Sequence, residues 1–258
     1  MICISIEDAL GNQMFSYASA KSIAIDLEVE FKYSVTRPKY VLKNQDFDEY
    51  GHRWYSDFDE YFNIDKSQRV EDFKNISVWK EPWPRGTNYF KELYSISEDT
   101  ELSGHFCSEL YFAHRRREVL SWFTFSQDVR TKVEKEYSYI LNEKTIKLIA
   151  IHIRYGADYI EQGKAVSIDY YKEALEKIIN KYKGHKVQVV LFTDAREEVE
   201  LYFSKFNPIV STGTPFEDLY LMTLCDAFVI GNSTFGWWGA WISQKLDKIV
   251  LRPSIFPV

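Results

Sequence analysis

Leu148-Ile149-Ala150-Ile151-His152-Ile153 is an apolar run interrupted by a single polar side chain. A run of this kind reads as a strand buried on both faces, the type found in helix-covered parallel sheets. Helical spacing follows it. Tyr171, Leu175, Ile178, Ile179 and Tyr182 keep intervals that predict a helix over 168–182, and Gly184 predicts its stop. The alternation continues with strands over 187–192, 208–210, 227–230 and 248–251, and with helices over 196–206, 216–224 and 234–244. Strands alternating with helices at this spacing specify an α/β fold with a parallel sheet.

Working back from that run, the N-terminal half opens in the same manner. Residues 1–6 predict a strand, Gly11-Asn12 a turn, 13–27 a helix and 29–33 a second strand. The pattern then dissolves. Phe47, Tyr50, Trp54, Tyr55, Phe58, Tyr61, Phe62, Phe73, Trp79, Trp83, Tyr89, Phe90 and Tyr94 lie among acidic residues with no steady period, and Pro82-Trp83-Pro84 marks a rigid turn. Such an excursion suits either the wall of a substrate cleft or plain loop packing. Regularity returns with a strand over 102–106 and helices over 109–121 and 127–141. The polar Asn142-Glu143-Lys144 segment is the expected boundary between an N-terminal lobe, 1–141, and a C-terminal lobe, 142–258.

A chain of 258 residues, 45% apolar, has material for a substantial core in one large domain or two lobes. Its net charge of −6 disfavours nucleic acid as the main partner. Aromatics at 17% suit carbohydrate stacking as well as core filling. Cys3, Cys107 and Cys225 are odd in number and far apart, which fits neither a disulfide framework nor a zinc ribbon and points to a reducing compartment. The first residues lack a basic segment followed by an apolar one, so no signal peptide is expected. The longest apolar stretch, 219–230, is broken by Thr223 and Asp226 and is too short to span a bilayer. The expectation is a cytoplasmic protein that touches a membrane, if at all, peripherally at its inner face.

Familiar nucleotide and metalloprotease signatures are absent. Gly231-Asn232-Ser233-Thr234-Phe235-Gly236 comes near a nucleophile elbow, but its Gly-x-Ser-x-x-Gly spacing fails the pattern. Asp46-Phe47-Asp48 and Asp57-Phe58-Asp59 are two Asp-x-Asp triplets, a pattern that in many glycosyltransferases holds a divalent metal under a diphosphate. Neither follows an apolar strand, so both are read as a solvated acidic face. Three loops at predicted strand ends remain, where open α/β sheets bind ligands. Asp8 to Gln13 leads into a helix through Gly11, which suits an anion or a plain turn. His152 and Arg154 point to one face of their strand, and Arg154 needs an internal carboxylate or a ligand phosphate. Ser233 and Thr234 offer hydroxyls at a helix start, as ligand contacts or as an N-cap.

Three blocks taken together resemble the bacterial α-1,2-fucosyltransferases of glycosyltransferase family 11. They are Gly11-Asn12-Gln13-Met14-Phe15-Ser16-Tyr17-Ala18, His152-Ile153-Arg154-Tyr155-Gly156-Ala157-Asp158-Tyr159 and Asn232-Ser233-Thr234-Phe235-Gly236-Trp237-Trp238-Gly239-Ala240-Trp241. Phe192-Thr193-Asp194 and Gly104-His105-Phe106-Cys107-Ser108-Glu109-Leu110-Tyr111-Phe112 are similar to further landmarks of that family, in order along the chain. The resemblance implies a two-lobe GT-B-like fold with a Rossmann-like donor lobe in the C-terminal half and an acceptor-side lobe before it. It implies GDP-fucose as donor, no metal or other cofactor, and an α-linked fucose on O2 of a galactose unit in a glycan acceptor. By the same resemblance Arg154 contacts the donor diphosphate with His152 beside it, and Asp194 stands where the guanosine is held. Ser233, Thr234 and Phe235 fall on the phosphate loop, and Asn12 on the N-terminal loop that faces the donor. This sequence departs from the family in placing Tyr155 for a second arginine, inserting Ala157 before Asp158, and carrying Glu7-Asp8-Ala9 where small residues such as glycine are usual.

An α product from a β-linked sugar diphosphate requires inversion in one displacement through an oxocarbenium-like transition state. Charge grows on the departing phosphate, which Arg154 and the amides near Ser233 would stabilise. A carboxylate would accept the acceptor proton. Asp158 is the favoured base, with Glu161, Glu7 and Asp8 as the other candidates. Two further readings stay open: another GDP-fucose-dependent fucosyltransferase, and a non-catalytic carbohydrate-binding protein that relies on the aromatics alone.

Overall fold

The computed structural model describes residues 1–35, 58–82 and 88–254. The chain forms two compact units, Met1–Thr124 and Phe125–Val258. In the first, β1 (Ile2–Ser5), α1 (Leu10–Asp26), β2 (Phe31–Ser34), β3 (Ser77–Lys80), β4 (Thr100–Ser103) and α2 (Arg116–Trp122) follow one another. Its strands are all parallel, in the order β2-β1-β4-β3. The second unit runs α3 (Gln127–Glu136), α4 (Ser138–Leu141), β5 (Ile146–Ile153), α5 (Ala157–Glu161), α6 (Ile168–Lys181) and β6 (Lys186–Thr193). It continues α7 (Arg196–Phe203), β7 (Ile209–Val210), α8 (Pro215–Thr223), β8 (Ala227–Ile230), α9 (Thr234–Ile242) and β9 (Ile249–Leu251). These strands too are parallel, in the order β7-β6-β5-β8-β9. The chain builds outward from β5 on one side and restarts at β8 on the other, which is the Rossmann arrangement. Two parallel-sheet α/β units in one chain, the second Rossmann-like, are the GT-B-like class that the resemblance implies.

The run that opened the sequence analysis is the buried part of β5. Its side chains alternate between faces. Leu148 and Ala150 join Val133, Tyr137, Ile140, Leu221, Met222 and Phe228 on one face. On the other, Ile149, Ile151 and Ile153 join Tyr171, Leu175, Ile178, Val199 and Phe203. At about 1.5–3 kcal/mol for each fully buried Leu or Ile, β5 alone contributes roughly 6–12 kcal/mol before chain entropy is subtracted.

Several expected boundaries move. The units divide between Thr124 and Phe125 rather than at 142–144, because the helical segment before β5 belongs to the second core. Val133, Tyr137 and Ile140 pack beneath the second sheet, the Lys132 ammonium sits 2.6 Å from Glu217 of α8, and the Tyr220 hydroxyl donates to Glu134 at 2.5 Å. That segment is two helices, broken at Tyr137, whose hydroxyl lies 3.2 Å from Ser211 Oγ. The helix expected over 109–121 is two 3-10 turns followed by α2. α1 starts at Leu10, which puts Gly11 and Asn12 in its first turn rather than in a loop. Among the described residues no helix is long and apolar enough to cross a membrane.

The described aromatics of the irregular region mostly fill space in the first core. Phe58 and Phe62 are buried against Phe123, and Phe58 also meets the Tyr17 ring of α1. Trp79 packs on Phe90 and Phe106, and Tyr89 on Tyr111. Phe47, Tyr50, Trp54, Tyr55, Trp83, Pro84, the first Asp-x-Asp triplet and Asp57 lie outside the described residues.

Asp59 of the second triplet is not on a solvated face. It is 1% exposed, accepts the Tyr33 hydroxyl at 2.8 Å, and takes Arg69 Nη1 at 2.9 and 3.0 Å on its two oxygens. Burial and this carboxylate together push the Tyr33 phenol well above its ordinary pKa. Removing one member of a buried pair strands the other, although the partly exposed Arg69 softens the penalty. Asp59→Asn is expected to cost about 2–4 kcal/mol in a urea unfolding titration.

Candidate functional site

In a parallel sheet that reverses its direction of growth, the two strands flanking the reversal send their following segments to opposite sides. A crevice is left outside their carboxyl ends. In the second unit those strands are β5 and β8, paired from Ile149↔Ala227 to His152↔Ile230. The residues delivered to the crevice are therefore His152-Ile153-Arg154 from one strand and Gly231-Asn232-Ser233 from the other.

His152 is 8% exposed, and its ring lies 5.1 Å from that of Phe235. Burial, opposed by Asp194 and aided by Arg154, pushes its pKa down to about 4, so the imidazole is neutral at pH 7. Nδ1 is buried with no hydrogen-bond partner among the described residues. The ring also sets the packing of α9: a Cβ at Gly236 would stand 2.8 Å from Nδ1. At Gly231 a Cβ would come within 2.0 Å of the Tyr171 hydroxyl. Both glycines are required by close approach rather than by backbone conformation.

Arg154 leaves β5 and pairs with Asp194, which stands just past the end of the neighbouring β6. The register Ile153↔Thr193 brings the two together. The same carboxylate accepts the backbone N–H groups of Tyr155 at 2.8 Å and Gly156 at 3.2 Å. The Tyr159 ring, 5.4 Å from the guanidinium carbon, supports Arg154 from a second direction. Asp194 also lines an open cleft of about 490 Å³ with Thr193, Ala195, Arg196, Glu197 and Glu198, a volume in the range of small-ligand sites.

Ser233 occupies the N-cap position of α9 but makes no capping hydrogen bond. The sequence left its hydroxyl as either cap or ligand contact, and the structure removes the first option. The amide end of α9 carries positive helix-dipole charge into the crevice. Asn232 fixes this turn by donating from Nδ2 to the Lys164 carbonyl at 2.9 Å.

Of the residues singled out in the sequence, His152, Arg154, Asp194, Ser233, Thr234 and Phe235 thus share one edge of the second sheet. Asn12 belongs to the first unit, half-buried in the first turn of α1. Asp158 is in the short α5, and its side chain lies outside the described part of the structure. Glu161 is exposed at the far end of that helix.

The family described as "Glycosyl transferase family 11" matches residues 58–254. The chain belongs to glycosyl transferase family 11. An Escherichia coli protein named alpha-1,2-colitosyltransferase is 23% identical across 98% of this family 11 chain and 91% of its own length. The galactoside alpha-(1,2)-fucosyltransferase 1 of Rattus norvegicus is 27% identical across 66% of the chain and 49% of its own length. Most of the curated relatives match over about half of their length or less. Among solved structures, the NodZ alpha-1,6-fucosyltransferase co-crystallized with GDP superposes with a TM-score of 0.60 at 15% identity, covering 93% of this chain and 91% of that one.

One residue near this edge of the family 11 fold gave no signal in the sequence. Asp218, in the first turn of α8, accepts the Ser211 hydroxyl at 2.5 Å, and Ser211 lies just past the end of β7. A carboxylate in a first helical turn is commonplace, so nothing marked it. Burial raises its pKa from 3.8 to about 6, against the lowering by Ser211 and Arg196. A carboxyl whose pKa is raised on folding adds stability that is complete below the unfolded value and is lost as pH climbs through the folded one. The group's contribution should therefore fall by up to about 3 kcal/mol between pH 4 and 7. Urea midpoints across that range should show wild type losing ground to Asp218→Asn by about this amount.

Proposed function

We propose that this chain is an inverting fucosyltransferase that moves L-fucose from GDP-fucose to O2 of a galactose unit in a glycan acceptor. The observation that carries this reading is Arg154, braced by Asp194 beside the amide end of α9 at the switch point of a Rossmann-like sheet. That combination suits a nucleoside diphosphate: a guanidinium fork for phosphate oxygens, helix amides for a second set, and a neutral imidazole packed beneath. The names of the relatives support the sugar and the linkage, and the GDP-bound structural neighbour supports the nucleotide.

In this reading the bond from fucose C1 to the diphosphate lengthens first, and negative charge gathers on the phosphate oxygens. Arg154 is held where that charge develops, so little reorganisation is required during the reaction. Ser233, Thr234 and Phe235 line the phosphate turn, and Asp194 acts by keeping Arg154 and the 155–156 amides in place. Donor binding is proposed to need no metal. Asp59, the described Asp-x-Asp carboxylate that was a metal candidate, is committed to Arg69 and Tyr33, in keeping with this. The cytoplasm is the proposed compartment, in line with Cys3, Cys107 and Cys225, all buried as free thiols.

Calorimetry in EDTA should give tighter binding of GDP than of UDP or ADP. Incubation with GDP-fucose and a panel of β-galactosides should give an α-1,2-linked product, identified by NMR. Because the relative aligned along nearly the whole chain is named for colitose, a colitose donor is the second arm. Equal binding of UDP, or a product linked elsewhere, refutes the assignment.

Lysine cannot reproduce the planar fork of arginine. Arg154→Lys should lose about 2–3 kcal/mol of transition-state stabilisation, roughly 30- to 150-fold in kcat/KM, with the fold intact by circular dichroism.

A further inference from the structure

Charge balance at the crevice of the second sheet is incomplete. A sugar nucleotide brings a negative charge on each phosphate of its diphosphate. Arg154 is already paired with Asp194, so the two together carry no net charge. The amide end of α9 supplies about half a positive charge through the helix dipole. His152 is neutral, and Tyr155, next after Arg154, turns its ring to Tyr202 and adds no charge. The phosphates still lack a full cation.

β9 delivers one to the same edge. The order β6-β5-β8-β9 puts β8 between the strand that leads to Arg154 and the strand that ends at Leu251. The pairing Val229↔Leu251 brings the next residue, Arg252, level with Ile230, whose partner on the other side is His152. Ile249 and Leu251 pack into the core of α6, while Phe228 and Ile230 of β8 belong to the core that α9 covers. Alternation therefore gives Arg252 to the α9 face, which His152 and Arg154 share. Pro253 keeps it extended, because the residue before a proline is held out of the helical region. Neighbouring strands lie about 4.8 Å apart, so β5 and β9 stand roughly 10 Å from each other across β8. Two arginines on those strands can close on a diphosphate seated over β8 at the α9 amides.

Two observations place the charge at that turn. It reaches the Tyr170 hydroxyl, where it opposes the upward push that burial gives the phenol. The same hydroxyl donates to the Ile230 carbonyl at 3.0 Å, so the charge is felt at the last residue of β8, just before Gly231. Among the described residues the Arg252 guanidinium meets no carboxylate, and its Nη1 donates to the adjacent Pro253 carbonyl at 3.2 Å. The residue is exposed, so its charge is hydrated until a ligand replaces the water.

We propose that Arg252 is a second diphosphate-binding residue of the donor site, supplying from the edge strand the positive charge that Arg154 shares with Asp194. The proposal rests on the transferase reading above for the identity of the donor. Arg154 is the fixed partner, held in one direction before the nucleotide arrives. Arg252 turns to the phosphates when they arrive, balances their charge and sets how tightly the nucleotide is held.

The test uses the full chain carrying Arg252→Lys, Arg252→Gln or Arg252→Glu. Lys205→Gln is the control, removing a positive charge that pairs with Glu176 elsewhere on the unit. Lys164→Gln is the rival arm, since the Lys164 carbonyl accepts from Asn232 at the same turn. GDP affinity is measured by calorimetry in EDTA at about 50 and about 300 mM NaCl, with melting temperature and fucose transfer alongside. At the lower salt Arg252→Gln should bind GDP about tenfold more weakly than wild type, Arg252→Glu about 100-fold, and Arg252→Lys within about threefold. The higher salt should shrink the Arg252→Gln deficit to about threefold, because exposed charges are screened. Lys205→Gln and Lys164→Gln should stay within about twofold, and every variant should keep the wild-type melting temperature. Arg252→Gln within about twofold of wild type at low salt overturns the proposal. So does a loss that ignores salt, breaks the order Lys, Gln, Glu, comes with a lowered melting temperature, or falls on Lys164→Gln instead. A wild type that transfers no fucose while GDP affinity follows the Arg252 series overturns the transferase reading alone. A wild type that binds no GDP overturns both.

Discussion

Asp194 stands one residue past β6 and collects the exit of β5: the Arg154 guanidinium and the N–H groups of Tyr155 and Gly156. Each of these donors would otherwise face solvent in whatever direction the loop happened to take. Hydrogen bonds to a charged acceptor are worth about 1.5–3 kcal/mol each, enough to select one loop path among many. The direction of Arg154 is thereby fixed relative to the sheet, and with it the crevice at β5 and β8. The dependence runs deeper, because Asp194 is only in reach when β5 and β6 pair with Ile153 opposite Thr193. A slip of one residue would invert every β5 side chain between its two cores, so apolar burial enforces the register that places one carboxylate.

The same packing explains why the crevice has the shape it has. His152 is held under α9 at a distance that admits only glycine at 236, and Tyr171 comes so close that only glycine fits at 231. The imidazole is desolvated enough to stay neutral and leaves Nδ1 unmatched. A buried polar atom without a partner lowers stability. It is tolerated here at the end of two central strands, β5 and β8, that are buried almost end to end.

How far the fold could be read in advance followed burial. β5, β6 and β8 announced themselves because strands covered on both faces are uniformly apolar. β3, Ser77-Val78-Trp79-Lys80, pairs among the described residues with β4 alone and is largely exposed, so its sequence carries neither an apolar run nor an alternation. α1 was read to start late because Ala9 offers no side-chain cap and Gly11-Asn12 looks like a turn. For the site, His152 and Arg154 were visible because two residues on one strand share a face. Asp194 was visible only by resemblance, and as a nucleoside contact. Its hold on Arg154 depends on inter-strand register, which local pattern does not encode. Asp59 was misread for a related reason: its partners Tyr33 and Arg69 come from other segments. The Asp8–His105 pair spans ninety-seven positions and exists only because β1 and β4 are neighbours.

The two sheet edges also differ in the charge they gather, and the difference is chemical rather than decorative. At the end of β5 and β8 stand a guanidinium and the positive end of a nine-residue helix. At the end of β1 and β4, Asp8 meets the His105 imidazole, Glu81 accepts the backbone N–H groups of His105 and Phe106, and Glu7 and Glu101 line the same small cavity as His105. An edge of the first kind stabilises oxygen atoms that gain negative charge. An edge of the second kind does the reverse: its carboxylates repel anions, and one of them fixes the direction of the His105 ring.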